Sequence, residues 1–104
     1  EVDDGSQTPG LVRNVTIHSN APNPFSRSTE IRYVLAVAGP VTVSIFSIGG
    51  QKVAILVDGE QPAGPQIVRW DALDSQGEAV NSGIYFCHIE RAGVIATRKM
   101  ILLK

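Results

Sequence analysis

Cysteine is nearly missing from this chain: Cys87 is the only one in 104 residues. It cannot close an internal disulfide, so the fold must rest on an apolar core rather than on staples. At this length the chain can bury one such core, but not two. Histidine is almost as scarce, with His18 and His88 alone. A zinc site needs a Cys/His cluster, and the sequence has none. Charge of one sign is missing too. Nine Lys and Arg stand against ten Asp and Glu, for a net charge of -1. With neither a basic stripe nor an acidic tail, nucleic acid and anionic membranes are poor partners. No apolar run reaches membrane length, so no membrane span is expected. The chain opens at Glu1 without a signal peptide, and it is expected to be a piece of a longer protein.

What is present is the composition of a folded domain, 43% hydrophobic and 18% charged, too apolar for disorder. Residues Glu1–Gly10 (EVDDGSQTPG) are polar, acidic and Gly/Pro-containing, and read as a linker. From Leu11 onward the sequence alternates with period 2. Strands are predicted over Leu11–His18, Glu30–Val37, Val41–Ile48, Gln51–Val57, Gln66–Trp70, Ile84–Ile89 and Val94–Leu103. Ile31, Tyr33 and Leu35 share one face of their strand, as do Val41, Val43 and Ile45. Val53 and Ile55 are assigned inward. Tyr85, Cys87 and Ile89 face opposite to Ile84, Phe86 and His88. Between strands lie turn signals: Pro22-Asn23-Pro24, Gly39-Pro40, Gly49-Gly50, a loop over Asp58–Pro65, a polar loop over Asp71–Ser82, and Arg91-Ala92-Gly93. Phe25 is expected to plug the end of the core. No segment carries a 3.6-residue period. Short strands at such spacing predict an all-β sandwich over residues 11–104.

The ordered pieces Pro22-Asn23-Pro24-Phe25, Thr29-Glu30-Ile31-Arg32-Tyr33, Val68-Arg69-Trp70-Asp71, Ser82-Gly83-Ile84-Tyr85-Phe86 and Lys99-Met100-Ile101-Leu102-Leu103-Lys104 together carry a resemblance. The chain is similar to the C-terminal sorting domain of proteins exported by the bacterial type IX secretion system, and to the related immunoglobulin-like domain of the flagellar hook-capping protein. The resemblance implies a seven-stranded immunoglobulin-like β-sandwich at the end of a secreted protein. It implies a sorting and anchoring module, non-catalytic and without a cofactor, recognised by the outer-membrane secretion machinery. It further implies an N-terminal cargo domain in the same chain, and a secreted or cell-surface location reached through the periplasm. Carried over, the recognition residues are Gly83 and the terminal strand Lys99, Met100, Ile101, Leu102, Leu103 and Lys104. The Asp71–Ser82 loop departs from the shortest sorting domains and resembles the hook-capping relatives.

Other chemistry is thin. Tyr85-Phe86-Cys87 after Gly83 resembles the tyrosine corner of immunoglobulin domains, in which a Tyr two residues before a Cys bonds back to local backbone. Cys87 reads as a small buried hydrophobe, because His88 next to it points to the opposite face of the strand. Asp71, Asp74 and Glu78 around Gly77 are the best calcium candidates, although their spacing is not that of an EF-hand. A structural assembly module of the hook-capping type and an accessory carbohydrate-binding module are the alternative functions. An exposed aromatic pair on one sheet would favour the sugar reading, whereas burial of Trp70, Tyr33 and Tyr85 would sink it. A terminal strand flanked by Lys99 and Lys104 is either protected from aggregation by its charges or open to capture by strand addition. Exposed edge strands also make a homodimer an expectation.

Overall fold

The computed structural model describes residues 15–104, so the Glu1–Gly10 linker and the start of the first predicted strand lie outside it. The described residues form seven strands and no helix: β1 Val15–Ala21, β2 Thr29–Leu35, β3 Gly39–Ser47, β4 Lys52–Gln61, β5 Gly64–Trp70, β6 Gly83–Arg91 and β7 Val94–Leu102. They make two antiparallel sheets, one in the order β1-β2-β5 and one in the order β4-β3-β6-β7. This is the all-β, immunoglobulin-like sandwich expected from the sequence. The fourth strand stays bonded to the third in the larger sheet, because the β3–β4 hairpin is tight. Its turn is closed by Gly50 N–H donating to the Ser47 carbonyl at 2.9 Å, with Gly50 at φ 89°, a conformation glycine adopts without steric cost.

Alternation places the core. Ile31, Tyr33 and Leu35 of β2 face Val41, Val43 and Ile45 of β3 and Cys87 and Ile89 of β6, all at most 1% exposed. Met100 and Leu102 close the same core from β7. Phe25 plugs one end as anticipated, 5.7 Å ring to ring from Trp70, which in turn meets Tyr85 edge-on at 5.2 Å. Two polar tips in this aromatic cluster are satisfied. Trp70 Nε1 donates to the Leu73 carbonyl at 2.9 Å, and Tyr85 Oη donates to the Asn81 carbonyl at 2.7 Å. The latter bond, two residues ahead of Cys87, is the tyrosine-corner contact.

The structure corrects the strand boundaries in the middle of the chain. Asp58–Pro65, a loop by its composition, is strand except at Pro62 and Ala63, and Gly39-Pro40 opens β3 instead of turning the chain. Gly39 through Val43 pair with Gln61 through Val57, so the polar Asp58 and Glu60 are the solvent side of a strand. β4 also carries two bulges. Val43 pairs with Val57 and Ser44 with Ile55, leaving Leu56 extra; Ile45 pairs with Ala54 and Phe46 with Lys52, leaving Val53 extra. Each bulge inverts the facing of the residues beyond it. Ala54 is therefore the buried residue, and Ile55, assigned inward from the sequence, is 49% exposed.

Candidate recognition surface at the terminal strand

β7 follows from a two-residue hairpin turn. Arg91 pairs with Val94, and the two residues between, Ala92 and Gly93, have φ of 54° and 82°. Two positive φ values in a two-residue hairpin give the turn whose twist matches the strands. The strand then runs beside β6 in unbroken register from Val94 opposite Arg91 to Leu102 opposite Gly83. Its alternation divides the residues picked from the sequence. Met100 and Leu102 are fully buried, while Lys99, Leu103 and Lys104 are exposed and Ile101 is half-buried. Gly83 is half-buried at the start of β6, opposite Leu102. The Lys104 N–H donates to Ser82 Oγ at 3.0 Å, tying the last residue to the residue before Gly83.

The outer edge of this strand is occupied. Asn23, between two prolines that have no N–H to donate, uses its side-chain amide as a substitute peptide unit. Ile101 N–H donates to Asn23 Oδ1 at 2.9 Å, and Asn23 Nδ2 donates to the Lys99 carbonyl at 3.3 Å. Phe25 continues the pairing with its own backbone: its N–H donates to the Ile101 carbonyl at 2.9 Å, and Leu103 N–H donates to the Phe25 carbonyl at 2.8 Å. From Lys99 to Leu103 the edge groups are thus taken by the Asn23–Phe25 segment.

The clamp is anchored from behind by β1. A bulge at His18 shifts the register between Ile17 and Ser19 and so turns Asn20 inward, where it is 5% exposed. Buried amides need partners. Asn20 Nδ2 donates to Thr29 Oγ1 at 3.2 Å, and that hydroxyl donates to the Pro22 carbonyl at 2.9 Å. Asn20 Oδ1 accepts from Arg98 Nε at 3.1 Å and from Asn23 Nδ2 at 3.3 Å. The sequence alone shows only a turn in Ala21–Phe25. The available signal was two asparagines framing the first of two prolines, directly ahead of an aromatic.

The outer face of the four-stranded sheet extends the surface. Cross-strand pairing aligns three rows over β4, β3, β6 and β7: Lys52–Phe46–Phe86–Lys99, then Ile55–Ser44–His88–Thr97, then Asp58–Thr42–Glu90–Ile95. Phe46 and His88 stack at 4.5 Å, and Lys52 Nζ lies 5.7 Å from the Phe46 ring centre. A hollow of about 180 Å³ opens among Thr42, Ser44, Phe46, His88, Glu90 and Ile95. The outer face of the smaller sheet is different. It carries the ion pairs Arg32–Glu30 at 3.1 Å and Arg69–Asp71 at 2.6 Å, both solvent-exposed.

The calcium candidates are not brought together. Asp71 is engaged by Arg69. Asp74 Oδ1 accepts the N–H groups of Gln76 and Glu78 at 2.9 and 3.0 Å, which shapes the loop. Among the described residues no group of three or more His, Cys, Asp or Glu is placed to hold a metal ion. Ser75 instead docks the loop on β4, its N–H donating to the Val53 carbonyl at 3.0 Å. Cys87 is fully buried, and desolvation pushes its thiol up to about 12. Burial also raises the Tyr33 phenol, helped by the neighbouring Cys87 charge, and raises that of Tyr85.

A seven-stranded sandwich of two antiparallel sheets with a tyrosine corner defines an immunoglobulin-like domain. The chain belongs to the family of FlgD Ig-like domains, whose model matches residues 26–93. That match ends before β7 and begins after Phe25, so the clamp and the terminal strand lie outside it. No curated protein matches the sequence. Among solved structures the chain is similar to dimeric latent PorU from Porphyromonas gingivalis, with a TM-score of 0.65 and 21% identity. The likeness covers 86% of this chain and 9% of that one. At this identity it concerns the fold.

Proposed function

We propose that this domain is a non-catalytic C-terminal sorting and anchoring module that directs a secreted bacterial protein through the type IX secretion system. Its partners are the outer-membrane secretion machinery and the cargo domain that precedes it in the chain, and its location is secreted or cell-surface. The type IX assignment rests on the resemblance of the terminal motif. The observation that carries the mechanism is the division of β7. Met100 and Leu102 anchor the strand in the core, and Lys99, Ile101, Leu103 and Lys104 are held at fixed spacing beside the Asn23–Phe25 clamp. Because the edge from Lys99 to Leu103 is already paired, the receptor reads side chains on a folded surface. Strand addition there would first have to displace the clamp.

The test is export of a periplasmically targeted fluorescent protein fused ahead of residues 1–104 in a type IX-competent bacterium. The comparison is Lys99→Ala combined with Ile101→Ser and Leu103→Ser, which leaves Met100 and Leu102 in place. Surface delivery of the parent fusion and periplasmic retention of the folded variant support the module. Equal export of both would refute reading through these side chains. Family membership favours a second reading, a structural assembly module of the hook-capping type, which would function at an internal position in its parent. The sugar-binding alternative loses its platform, since Trp70, Tyr33 and Tyr85 are all buried. The half-buried Phe46 is already attended by His88 and Lys52.

A further inference from the structure

We propose that the outer face of the four-stranded sheet is a self-association surface, and that its occupant is a second copy of this chain. The charge pattern of the three rows carries the proposal, independently of the sorting reading. One outer row holds Lys52 and Lys99, the other holds Asp58 and Glu90, and the row between them has no fixed charge. All four charged residues are exposed. The basic and acidic rows are four residues apart along the strands, roughly 13 Å.

Two copies meeting face to face are related by a twofold axis in the plane between them. An axis along the strands would lay each row on its own copy, basic on basic and acidic on acidic. An axis across the strands, over the Ser44–His88 row, lays the basic row of each copy on the acidic row of the other. It keeps each strand over its own counterpart, so Lys52 meets the second copy's Asp58 directly, and Lys99 meets its Glu90 one strand away. The pattern is self-complementary in that one orientation, which is what an isologous contact requires. The same packing covers Ile95 and Ile55, which are 56% and 49% exposed, and closes the hollow beside His88. Four strands by three rows make a patch of about 19 by 20 Å. That is about half the area per partner of a standard interface, so the association is weak and salt-sensitive.

Sedimentation equilibrium of residues 1–104 up to 1 mM at low ionic strength tests this. The wild-type chain is expected to show a concentration-dependent monomer–dimer equilibrium. Lys52→Glu with Lys99→Glu should weaken it at least tenfold, and so should Asp58→Lys with Glu90→Lys. An equimolar mixture of the two variants should recover dimer. Amide shifts that move on dilution should cluster on Thr42, His88 and Ile95. A chain that stays monomeric to 1 mM overturns the proposal. So does a dimer indifferent to both charge reversals, or a mixture that stays monomeric.

Discussion

Replacing Asn23 by alanine removes three hydrogen bonds: the acceptor for Ile101 N–H at 2.9 Å, and two donated bonds at 3.3 Å to the Lys99 carbonyl and to Asn20 Oδ1. A protein hydrogen bond contributes a net 0.5–1.5 kcal/mol or so, and bonds at the long limit contribute less. The groups released on β7 lie at an exposed edge, where water takes over, so the full penalty of a buried orphan does not apply. Asn20 Oδ1 keeps Arg98. The expected loss is therefore about 1–2 kcal/mol, a fall in Tm of roughly 5–15 °C for a domain this size. The residue-level signature is sharper. Ile101 N–H loses its only clamp partner, and its exchange with solvent should rise about tenfold or more relative to wild type. The Phe25 and Leu103 amides, bonded to each other's strand through backbone, should lose less. Hydrogen exchange by NMR reads all three. Asn23→Asp keeps the acceptor but sets an oxygen against the oxygens of Lys99 and Asn20. That variant should therefore keep the Ile101 amide protected while losing the two donated bonds. If Ile101 exchanges at the wild-type rate in Asn23→Ala, the clamp does not hold the strand.

Ala92 sits at φ 54° in an exposed turn, a conformation that costs a residue with a Cβ about 1–2 kcal/mol. Ala92→Gly should stabilise by about 0.5–1 kcal/mol after the entropy of the freer unfolded chain is subtracted, as measured by urea denaturation. Ala72 has a similar φ of 61° but buries its methyl group, so Ala72→Gly should be near neutral. The Cys87 thiol, raised to about 12 by burial from an ordinary 9.0, should not react with a disulfide reagent at pH 8 until the domain opens. Above pH 9 the unfolded chain releases this proton and the folded chain holds it. Stability is therefore intact below pH 9 and should fall by up to about 1.4 kcal/mol per unit as pH rises toward 12. Tyr85→Phe deletes the bond to the Asn81 carbonyl and should cost about 1 kcal/mol in thermal denaturation.

Period-2 alternation made the core legible. Tyr85, Cys87 and Ile89 are buried and Ile84, Phe86 and His88 face outward, as their spacing implied. Where alternation breaks, legibility ends. The bulges at Leu56 and Val53 insert residues that no local pattern announces, and Ile55 reads inward in the sequence for that reason. Asp58 and Glu60 look like loop because an edge strand with one solvent side is half polar. The terminal run Lys99–Lys104 reads as a single stretch by its motif, although the same alternation separates the buried Met100 and Leu102 from Lys99, Ile101 and Leu103. The clamp is only faintly legible, for a different reason. A side-chain amide standing in for a peptide unit depends on a strand 78 residues away, and local sequence does not record that distance.

A strand that serves both the core and the surface changes what a deletion can mean. Removing Lys99–Lys104 would erase the outward side chains together with Met100 and Leu102, both fully buried. Truncating a buried Leu or Met costs about 2–5 kcal/mol, and two such losses approach the whole 5–15 kcal/mol or so that holds a typical domain together. The deletion would also free the Asn23–Phe25 clamp. Loss of export after such a truncation would thus report unfolding as readily as loss of recognition. Met100→Ala and Ile101→Ser separate the two. The first should lower Tm by roughly 10 °C or more, and below its Tm it should leave recognition intact. The second removes a half-buried side chain on the outward face, so it should lower Tm less and impair export at temperatures where the domain is folded. If Met100→Ala blocks export while the domain remains folded and Ile101→Ser does not, the outward face of β7 is not what the partner reads.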